Sequence, residues 1–589
     1  MPPIARPILR LLGHLNLRRR LQLGALLALM IIVSFAEAIS IGSVIPFLGI
    51  LTSPEWLFKH PLAQPFIIRM GFTEAKELLK PLTILFASAA VVSGGLRLLL
   101  HWTQTRLGYA IGADFSISIY RRTLYQPYVV HLSRNSSEVI TSISSKADGV
   151  VYQALLPLFT ILSSAMLLST TLIALFAAQP FVAAVSIVSF GGTYALAIAL
   201  TRSRLSRDSK LINREQNLLV KALQEALGGI RDVLIDGSQQ IYCRIYERVD
   251  RRLRSAHANV AIVSVSPRFI VEAFGIALIA AMAYALAVRP QGIGSTIPII
   301  GMLALGAQRM LPVLQQAYSS WTVMRSGEAA LIEVLQLMDQ PLPPHAGEPL
   351  PVLMPFHRDI VLQMIGFHYS PSQPWVLRGL NLRISKGGRV GFIGTTGSGK
   401  STLLDIVMGL LVPSQGSLQI DGVPITPANS RAWQMHIAHV PQSIYLADST
   451  VEENIAFGVP ADKIDHGRIQ RAARQAQIAD TIESWEHGYQ TLVGERGVRI
   501  SGGQRQRIGI ARAMYKDADV IVLDEATSAL DMETERSVMA AINALGGELT
   551  ILIVAHRLTT LEGCTQVVEL VDGVIQRIGT YQEIIGTST

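Results

Sequence analysis

The 589-residue sequence is 50% hydrophobic and only 16% charged, with a formal net charge of +8, a pI of about 9.4 and a mean hydropathy of +0.37. The length allows several domains, while the low charged fraction excludes a mainly disordered chain and argues against an ordinary soluble enzyme. Residues 1–350 carry 31 Lys and Arg against 19 Asp and Glu, a net charge of +12, whereas residues 351–589 carry 20 against 24, a net charge of −4. The two parts are therefore different kinds of protein.

Apolar stretches dominate the first part. Six of them can each supply the roughly 20 apolar residues that a membrane-spanning helix needs. They lie at 21–52, 82–105, 150–177, 180–201, 269–288 and 294–324. A buried helix of a soluble protein would account for one such stretch but not for six. Residues 1–325 are therefore expected to form an α-helical, six-span transmembrane domain.

The basic residues predict how this domain is oriented. The N-terminal 20 residues hold five arginines and no acid, and residues 202–268 hold 13 Lys and Arg against 7 acids. The turns near Gln179–Pro180 and at Pro290–Thr296 carry no charge. Since basic loops stay in the cytoplasm, both chain ends and the long loops are expected to be cytoplasmic, in a multi-pass protein of the inner membrane. The first apolar stretch is too long for a cleavable signal peptide.

The loops are expected to be structured. Residues 218–235 have apolar positions at three- and four-residue spacing, and residues 244–254 read as a charged, solvated helix. The spans should therefore extend into the cytoplasm as helices that short cross-helices join in pairs. The outer loop 54–80 mixes aromatic and basic residues, which fits either a helix lying in the outer interface or an ordinary structured loop.

Ionisable residues within the spans are candidates for substrate contact, because they are costly in lipid and usually face a cavity or a partner. Glu37 lies in the first span, Arg97 in the second, Arg268 at the inner edge of the fifth and Arg309 in the sixth. Several arginines facing one cavity would suit an anionic head such as phosphate or pyrophosphate. The alternative is that Arg97 and Arg268 only extend toward the inner headgroups.

Residues 326–355 are expected to be a linker, and a nucleotide site follows it. The apolar strand Arg389–Gly394 leads into a GxxxxGK[ST] pattern and then a helix that begins near Ser401, which is the context of a phosphate-binding loop. Backbone N–H groups would wrap the phosphates, Lys400 would reach the β and γ oxygens, and Ser401 would offer its hydroxyl to Mg²⁺. The residues expected to hold ATP here are Gly394, Thr395, Thr396, Gly397, Ser398, Gly399, Lys400, Ser401 and Thr402.

A second apolar strand, Val520–Leu523, ends in Asp524 and Glu525. An acid at the carboxyl end of a parallel strand lies beside the phosphate loop, so Asp524 is expected to hold the metal. Glu525 is expected to act as the general base toward water. The alternative reading of two consecutive acids is a helix cap, which the phosphate loop disfavours.

Two isolated cysteines, Cys243 and Cys564, give no disulfide framework and no zinc-type pair.

Residues 356–585 resemble the nucleotide-binding domain of ABC transporters, which extends the expected α/β P-loop ATPase domain over 356–589. The string Ile500–Arg505 matches the LSGGQ motif of that family, with Ile for Leu. The resemblance implies that Tyr369 stacks on adenine, that Gln442 contacts Mg²⁺ and that His556 contacts the γ-phosphate. It also implies that the loop ending at Asp531 crosses a dimer interface. The remaining nucleotide contacts that it implies are Ser501, Gly502, Gly503 and Gln504.

The same resemblance implies a dimer. In the family, this motif closes on ATP held by the phosphate loop of the opposite subunit, and the chain has one of each. Two copies would build two composite sites that use ATP and Mg²⁺, with Glu525, His556 and Gln442 in the catalytic positions. A homodimer is expected, and a heterodimer with a similar chain is the alternative.

Six spans ahead of one nucleotide domain resemble exporter-type half-transporters. Within them, Tyr125–Tyr128, Arg134–Glu138 and Gly228–Asp232 resemble the inner loops of the bacterial lipid-linked oligosaccharide flippase group. The expected function is ATP-driven export or flipping of a lipid-linked oligosaccharide or a similar anionic lipid. The alternative is a multidrug, peptide or general lipid exporter. The six spans disfavour a soluble ATPase that acts on nucleic acid, and intact Glu525 and His556 disfavour a channel that binds ATP without pumping.

Overall fold

The computed structural model describes residues 5–43, 75–178, 187–287, 297–526, 530–543, 548–555 and 557–585, together with residues 47, 180 and 184. The chain divides into two compact units, one formed by residues 1–126 and 134–343 and the other by residues 127–133 and 344–589. Residues 54–74 of the outer loop and the turn at 290–296 lie outside the described residues.

The first unit is built from long helices. The α-helices are numbered along the chain, and α4 (Tyr128–Ser133) belongs to the second unit. The helices of the first unit are α1 (Ala5–Gly13), α2 (Leu17–Gly42), α3 (Leu79–Leu124), α5 (Ser136–Thr141), α6 (Ala147–Val150), α7 (Leu156–Ala178), α8 (Gly192–Gly228), α9 (Ile230–Ile235), α10 (Gln239–Ala287), α11 (Ile297–Ser326) and α12 (Glu328–Met338). Wider, π-helical turns occupy Ser142–Lys146, Val151–Leu155 and Ile187–Gly191, and a 3₁₀ turn occupies Ala75–Leu78.

The predicted spans fall on these helices. In the described part of the chain, four helical stretches are long and apolar enough to cross a membrane, namely Leu17–Ser40, Leu79–Leu124, Ser137–Ile173 and Gln239–Ala277. They overlap the predicted first, second, third and fifth spans, the fifth only over residues 269–277. The fourth and sixth predicted spans fall partly on α8 and α11, while residues 181–183, 185–186 and 294–296 of these spans lie outside the described residues. Helices α3, α8 and α10 continue far past the predicted inner ends of their spans, as expected for helices that extend into the cytoplasm.

A buried polar cluster holds together the end of this unit that is predicted to lie in the cytoplasm. The Lys146 ammonium, whose side chain is 1% exposed, donates to Glu333 Oε1 at 2.5 Å. Ser142 Oγ donates to the same oxygen at 3.0 Å, and Asn213 Nδ2 donates to Glu333 Oε2 at 2.9 Å. Burial alone would raise the pKa of Glu333, but these hydrogen bonds outweigh it and hold the pKa below its ordinary value. The cluster joins three segments that are distant in the sequence.

The predicted linker 326–355 begins with a packed helix rather than an open tether. Helix α12 buries Leu331, Val334, Leu335 and Met338, which recur at helical spacing and join the apolar core around α1, α2 and α3. The residues from Pro341 to Phe356, where prolines are frequent, form neither helix nor strand and include a turn at 344–347.

The second unit contains two sheets. Its strands are β1 (Asp359–Phe367), β2 (Leu377–Ser385), β3 (Arg389–Ile393), β4 (Gln415–Ile420), β5 (Val423–Pro424), β6 (Ile437–Val440), β7 (Val520–Asp524), β8 (Thr550–Val554), β9 (Gln566–Val571) and β10 (Val574–Gly579). One sheet is antiparallel with the order β2-β1-β4-β5, and the other has the order β10-β9-β3-β8-β7-β6, with parallel pairing from β9 to β6. The parallel strands are almost wholly apolar, as strands covered on both faces must be.

Helices cover the parallel sheet. They are α13 (Lys400–Val407), α14 (Ser430–Gln434), α15 (Val451–Ile455), α16 (His466–Gln475), α17 (Ala479–Glu483), α18 (Gly502–Lys516), α19 (Met532–Asn543) and α20 (Tyr581–Ile585), with 3₁₀ turns at Ala461–Lys463, Gly488–Gln490, Glu495–Gly497 and Leu558–Leu561. Trp433 is fully buried and donates its indole N–H to Val407 O at 2.7 Å, which fixes the end of α13 against α14. Helix α4 packs on the same core through Tyr128 and Val129, although its neighbours in sequence belong to the first unit.

Candidate functional site

The phosphate loop connects β3 to α13 at the carboxyl end of the central strand. Its glycines take conformations that other residues avoid, with φ of 86° at Gly397 and 98° at Gly399. A Cβ on Gly399 would lie 2.6 Å from Leu377 Cδ2, so a larger residue would collide with β2. The sequence pattern and the backbone therefore agree that this loop presents its amides toward the start of α13.

Lys400 is held in place by the loop that it follows. Its ammonium donates to Gly394 O at 2.8 Å and to Thr395 O at 2.9 Å. Burial lowers the pKa of Lys400, while Glu525 and Asp524 oppose that shift. A lysine in this position is poised to bind an anion without a direct carboxylate partner among the described residues.

The acids predicted from the sequence lie beside this loop. Asp524 ends β7, opposite Val554 of β8, and the Ser401 hydroxyl hydrogen-bonds to it. Burial raises the pKa of Asp524 in spite of that bond. Hydroxyl, carboxylate and amide oxygens are ligands that Mg²⁺ accepts, so Ser401, Asp524 and Gln442 fit that ion chemically.

Glu525 is turned out of the strand by an unusual backbone. Its φ is 52°, in the left-handed region, and its N–H donates to Val554 O at 3.0 Å. Such conformations cost of order 1–3 kcal/mol in residues other than glycine and concentrate at functional sites. Gln442, which follows the edge strand β6, donates from Nε2 to Glu525 Oε2 at 2.5 Å. The predicted base is thus aimed by two neighbouring strands.

Tyr369 follows β1 and reaches the phosphate-loop helix. Its hydroxyl lies 3.0 Å from Thr402 Oγ1, and its ring contacts Phe367 edge-on with the centroids 5.0 Å apart. The residue is 38% exposed, so part of its surface is open to solvent. This is where the resemblance implied an adenine-stacking aromatic residue.

The second predicted anion site is the start of α18. Ser501 caps this helix, accepting from Gln504 N at 3.2 Å, while Gln504 Oε1 accepts from Ser501 N at 2.8 Å. Gly502 and Gly503 form the first turn and leave the helix N-terminus open. Because Gln504 is engaged in the cap, an anion at this end would meet backbone amides and the Ser501 hydroxyl.

Sequence reasoning missed a residue that connects these parts. Arg512 on α18 donates from Nε to Asn454 O at 2.9 Å and from Nη2 to Tyr445 O at 3.1 Å, and its guanidinium lies 4.5 Å from the centre of the Phe457 ring. Burial lowers the pKa of Arg512 to about 10. The segment after Gln442 is therefore fixed to α18. An arginine at an ordinary helical position gave no signal in the sequence.

A second missed residue is Asp405 on α13. Burial, and to a lesser degree Asp524, raises its pKa to about 6. The pKa of Tyr128 in α4 is raised by burial first and then by Asp405 and Tyr369. Helix α4 thus lies next to the phosphate-loop helix within the second unit.

The remaining predicted nucleotide residues are partly described. Asp531 directly precedes α19 and accepts from Thr534 N at 2.9 Å and Thr534 Oγ1 at 2.7 Å, bonds that lower its pKa. Residues 527–529 and His556 lie outside the described residues.

The structure pairs the charges predicted for the membrane cavity. Arg97 of α3 makes a bidentate ion pair with Glu37 of α2, whose residue is 2% exposed. Arg268 instead donates to Glu272 one turn further along α10, at 2.7 Å. Arg309 lies in α11, and the described side chains do not include it. Glu37 and Arg97 are thus brought together, whereas Arg268 has a different partner.

Comparison with known proteins finds a matching family profile in each half of the chain. The profile of the family described as "ABC transporter" matches residues 377–528, and that of "ABC transporter transmembrane region" matches residues 23–300. An ATP-dependent lipid A-core flippase of Cupriavidus metallidurans is 28% identical over 564 residues, which are 90% of this chain and 93% of that one. The equally named protein of Alkalilimnicola ehrlichii is 32% identical over 406 residues, 68% of this chain and 67% of that one.

A solved structure has the same fold. The bacterial Atm1-family ABC exporter with ATP bound aligns with a TM-score of 0.78 and 20% identity, covering 97% of this chain and 96% of that one. The expected fold, a six-span helical domain ahead of a P-loop ATPase domain, is confirmed.

Proposed function

The chain belongs to the ABC transporters, as a half-transporter that couples ATP hydrolysis to transport, and from this premise we propose that it flips or exports an anionic, amphiphilic lipid across the cytoplasmic membrane. The observation that carries the ATP-driven part of the proposal is the arrangement of Lys400, Asp524, Glu525 and Gln442 at the carboxyl ends of β3, β7 and β6. Both termini and the second unit would face the cytoplasm, as the basic loops favour.

Each residue of this arrangement has a proposed role. The loop amides and Lys400 bind the β and γ phosphates of ATP, and the Tyr369 ring stacks on its adenine. Glu525 accepts the proton of the attacking water, while the amide of Gln442 keeps that carboxylate turned toward the phosphate loop. Mg²⁺, held by Ser401, Asp524 and Gln442, would neutralise phosphate charge. His556 is proposed to contact the γ-phosphate.

Two copies of the chain would complete the sites. Ser501, Gly502 and Gly503 form an anion-binding helix end that we assign to the ATP of the partner. A surface of the first unit supports a second copy. Helix α9, on the predicted cytoplasmic side, exposes Ile230, Leu234 and Ile235 by 45%, 59% and 71%. Three apolar side chains on one short helix in water favour a protein partner.

The substrate class rests on the membrane half. Buried ionisable groups in lipid are costly and usually functional, and Glu37, Arg97, Arg268 and Arg309 are proposed to face the transport path. Relatives named lipid A-core flippases support a lipid as substrate. A lipid-linked oligosaccharide is the finer proposal, and a multidrug or peptide substrate is the alternative.

Replacing the base tests the ATPase assignment. Glu525→Gln keeps the size and the contact to Gln442 but cannot take a proton, so ATP hydrolysis should fall by about 10²–10⁴-fold with nucleotide binding retained. Glu486→Gln, an exposed glutamate of the same unit, is the matched control and should hydrolyse at the normal rate. Full hydrolysis by Glu525→Gln would refute the role of Glu525.

Transport in proteoliposomes tests the substrate class. Lipid A and a lipid-linked oligosaccharide would be offered separately, and ATP-dependent movement of a labelled lipid would be followed. Arg309→Ala should slow lipid movement more than it slows basal ATP hydrolysis, whereas Arg202→Ala, at the predicted inner end of another span, should change neither. Equal transport by both variants would remove Arg309 from the proposed path, and efflux of cationic drugs without lipid movement would favour the alternative.

A further inference from the structure

A cavity of about 690 Å³ opens between α2 and α3, apart from the nucleotide site and the Glu37–Arg97 pair. Its wall on α2 runs from Arg19 to Leu29, and its wall on α3 runs from Trp102 to Ala110. Ten residues of helix rise about 15 Å, which equals half of the roughly 30 Å hydrocarbon core. Arg19 precedes the predicted first span and Arg106 directly follows the second, so the cavity begins at the inner headgroups and extends into the inner leaflet.

The polar groups at the headgroup end are hydrogen-bond donors. The Arg106 guanidinium lies 5.8 Å from the centre of the Trp102 ring and, within the described residues, has no carboxylate partner. The Gln22 amide oxygen accepts from Arg19 Nη1 at 2.9 Å, and among the described residues its N–H groups donate to no acceptor, which leaves them available to the cavity. None of the lining residues is Asp or Glu. Such a lining favours an acceptor-rich anion.

The cavity is also rigid at this end. Arg19 donates to Asp114 through Nε at 2.8 Å and through Nη2 at 3.3 Å, which locks α2 against α3. Tyr109 shares a hydrogen bond with Tyr152 and contacts its ring edge-on. Because Asp114 is occupied by Arg19, it is not available to neutralise Arg106.

The deeper end is apolar. Leu26 is 4% exposed, and Ala25 and Leu29 line the same wall. A ligand that fits both ends has an anionic head and an alkyl chain, and lies parallel to the helices. The volume of about 690 Å³ suits a compact head, because cavities of roughly 300–1,000 Å³ hold molecules of drug size.

We infer that this cavity binds an anionic glycerophospholipid of the cytoplasmic leaflet as a resident lipid, with its phosphate on Arg106 and Gln22 and an acyl chain along Ala25, Leu26 and Leu29. The placement in the inner leaflet rests on the orientation given in the proposed function. The lipid bridges α2 and α3 at the base of the first two spans. It is a different molecule from the transported one, whose path the deeper charged residues mark.

Lipid retention tests the inference. Full-length protein in dodecyl maltoside micelles is titrated with dioleoylphosphatidylglycerol or with dioleoylphosphatidylcholine, and the bound lipid is counted by native mass spectrometry. The wild type should hold phosphatidylglycerol more tightly than phosphatidylcholine. Arg106→Gln should weaken phosphatidylglycerol binding about tenfold, the size expected for loss of a charge-assisted hydrogen bond.

Two further variants separate this site from general charge and from misfolding. Arg202→Gln also removes an exposed arginine just past the predicted inner end of a span, but outside the cavity, and should bind like the wild type. Ala25→Phe fills the cavity from its exposed side with every charge kept, and should also lose phosphatidylglycerol. Equal losses in Arg106→Gln and Arg202→Gln, or equal affinity of the wild type for both lipids, would overturn the inference.

A transport measurement decides between a resident and a transported lipid. Phosphatidylglycerol that moves across proteoliposomes with ATP, at a rate that falls in Arg106→Gln, would overturn the resident role. Bound phosphatidylglycerol without ATP-dependent movement supports it. ATP hydrolysis by the wild type is recorded in parallel, so a failure of the proposed transport function is distinguished from a failure of this site.

Discussion

The cluster around Glu333 should contribute more to stability than any exposed ion pair of the chain. Glu333→Ala removes a carboxylate that accepts from Lys146, Ser142 and Asn213 and leaves Lys146, 1% exposed, without its counter-ion. Breaking a buried pair in this way typically costs about 3–5 kcal/mol. The expected result is a fall of roughly 6–10 °C in the melting temperature of the first unit, since about 2 °C corresponds to 1 kcal/mol in large domains.

The chain contains a matched exposed pair. Glu225 and Lys221 lie one turn apart with 3.6 Å between their charged atoms, and their side chains are 58% and 48% exposed. Such pairs contribute about 0–1 kcal/mol, so Glu225→Ala should hardly change the melting temperature. The double variant Lys146→Met with Glu333→Leu removes both buried charges and should recover part of the lost stability, since Ser142 and Asn213 still lose their acceptor.

Differential scanning fluorimetry of the detergent-solubilised protein measures all three variants. The pKa of Glu333 is depressed in the folded state, so its contribution is complete above the unfolded pKa near 4.5 and is lost as the pH falls through the folded pKa. The difference between wild type and Glu333→Ala should therefore be constant from pH 8 to about pH 5.5 and shrink below it. Equal melting temperatures for Glu333→Ala and Glu225→Ala would refute the reasoning.

Two substitutions in the second unit test the geometry of the ATP site. Gly399→Ala places a methyl group 2.6 Å from Leu377 Cδ2 at a φ of 98°, so nucleotide binding should weaken more than tenfold in a fluorescent-ATP titration. Gly458→Ala is the control: its φ is 83° but its methyl group meets no neighbouring atom, so this variant should bind ATP normally. Arg512→Lys loses the guanidinium that donates to two carbonyls, so the melting temperature of the second unit should fall by the equivalent of about 1.5–3 kcal/mol. Arg474→Lys, at an exposed position, is the control and should melt like the wild type. Identical melting curves for both variants would remove Arg512 from the connection between α18 and Gln442.

Local sequence patterns predicted much of the nucleotide-binding half of the chain. The glycines and Lys400 of the phosphate loop are consecutive, and the apolar strand before them and the helix after them follow within a few residues, so spacing alone predicted β3, the loop and α13. Strand β7 and Asp524 were predictable for the same reason. The order β3-β8-β7-β6 was not, because it depends on pairing between segments far apart in sequence, and only that order brings Gln442 to Glu525.

In the membrane half, the important contacts join residues that are far apart in the sequence. Apolar length and basic loops predicted the spans, but not the partners of charges inside them. Arg97 and Glu37 are 60 residues apart, and their meeting depends on the register between α2 and α3, which also aligns Arg19 with Asp114. Helix α12 was not predicted although its apolar residues recur at helical spacing, because the prolines that follow it are typical of a linker.

The pairing of Arg97 with Glu37 gives the proposed transport path a sharp test, because an arginine bound to a carboxylate holds a second anion poorly. If Arg97 contacts an anionic lipid, that lipid competes with Glu37 for the guanidinium. Glu37→Gln should then bind dodecyl phosphate about tenfold more tightly in a mass-spectrometric titration, since a charge competitor is lost. Arg97 is 48% exposed and can reorient, so the variant should stay folded. Glu272→Gln, which frees Arg268, tests the other pair in the same assay. Unchanged or weaker binding in Glu37→Gln, together with a normal melting curve, would make the pair a structural clamp between α2 and α3 and leave the anionic substrate to other residues.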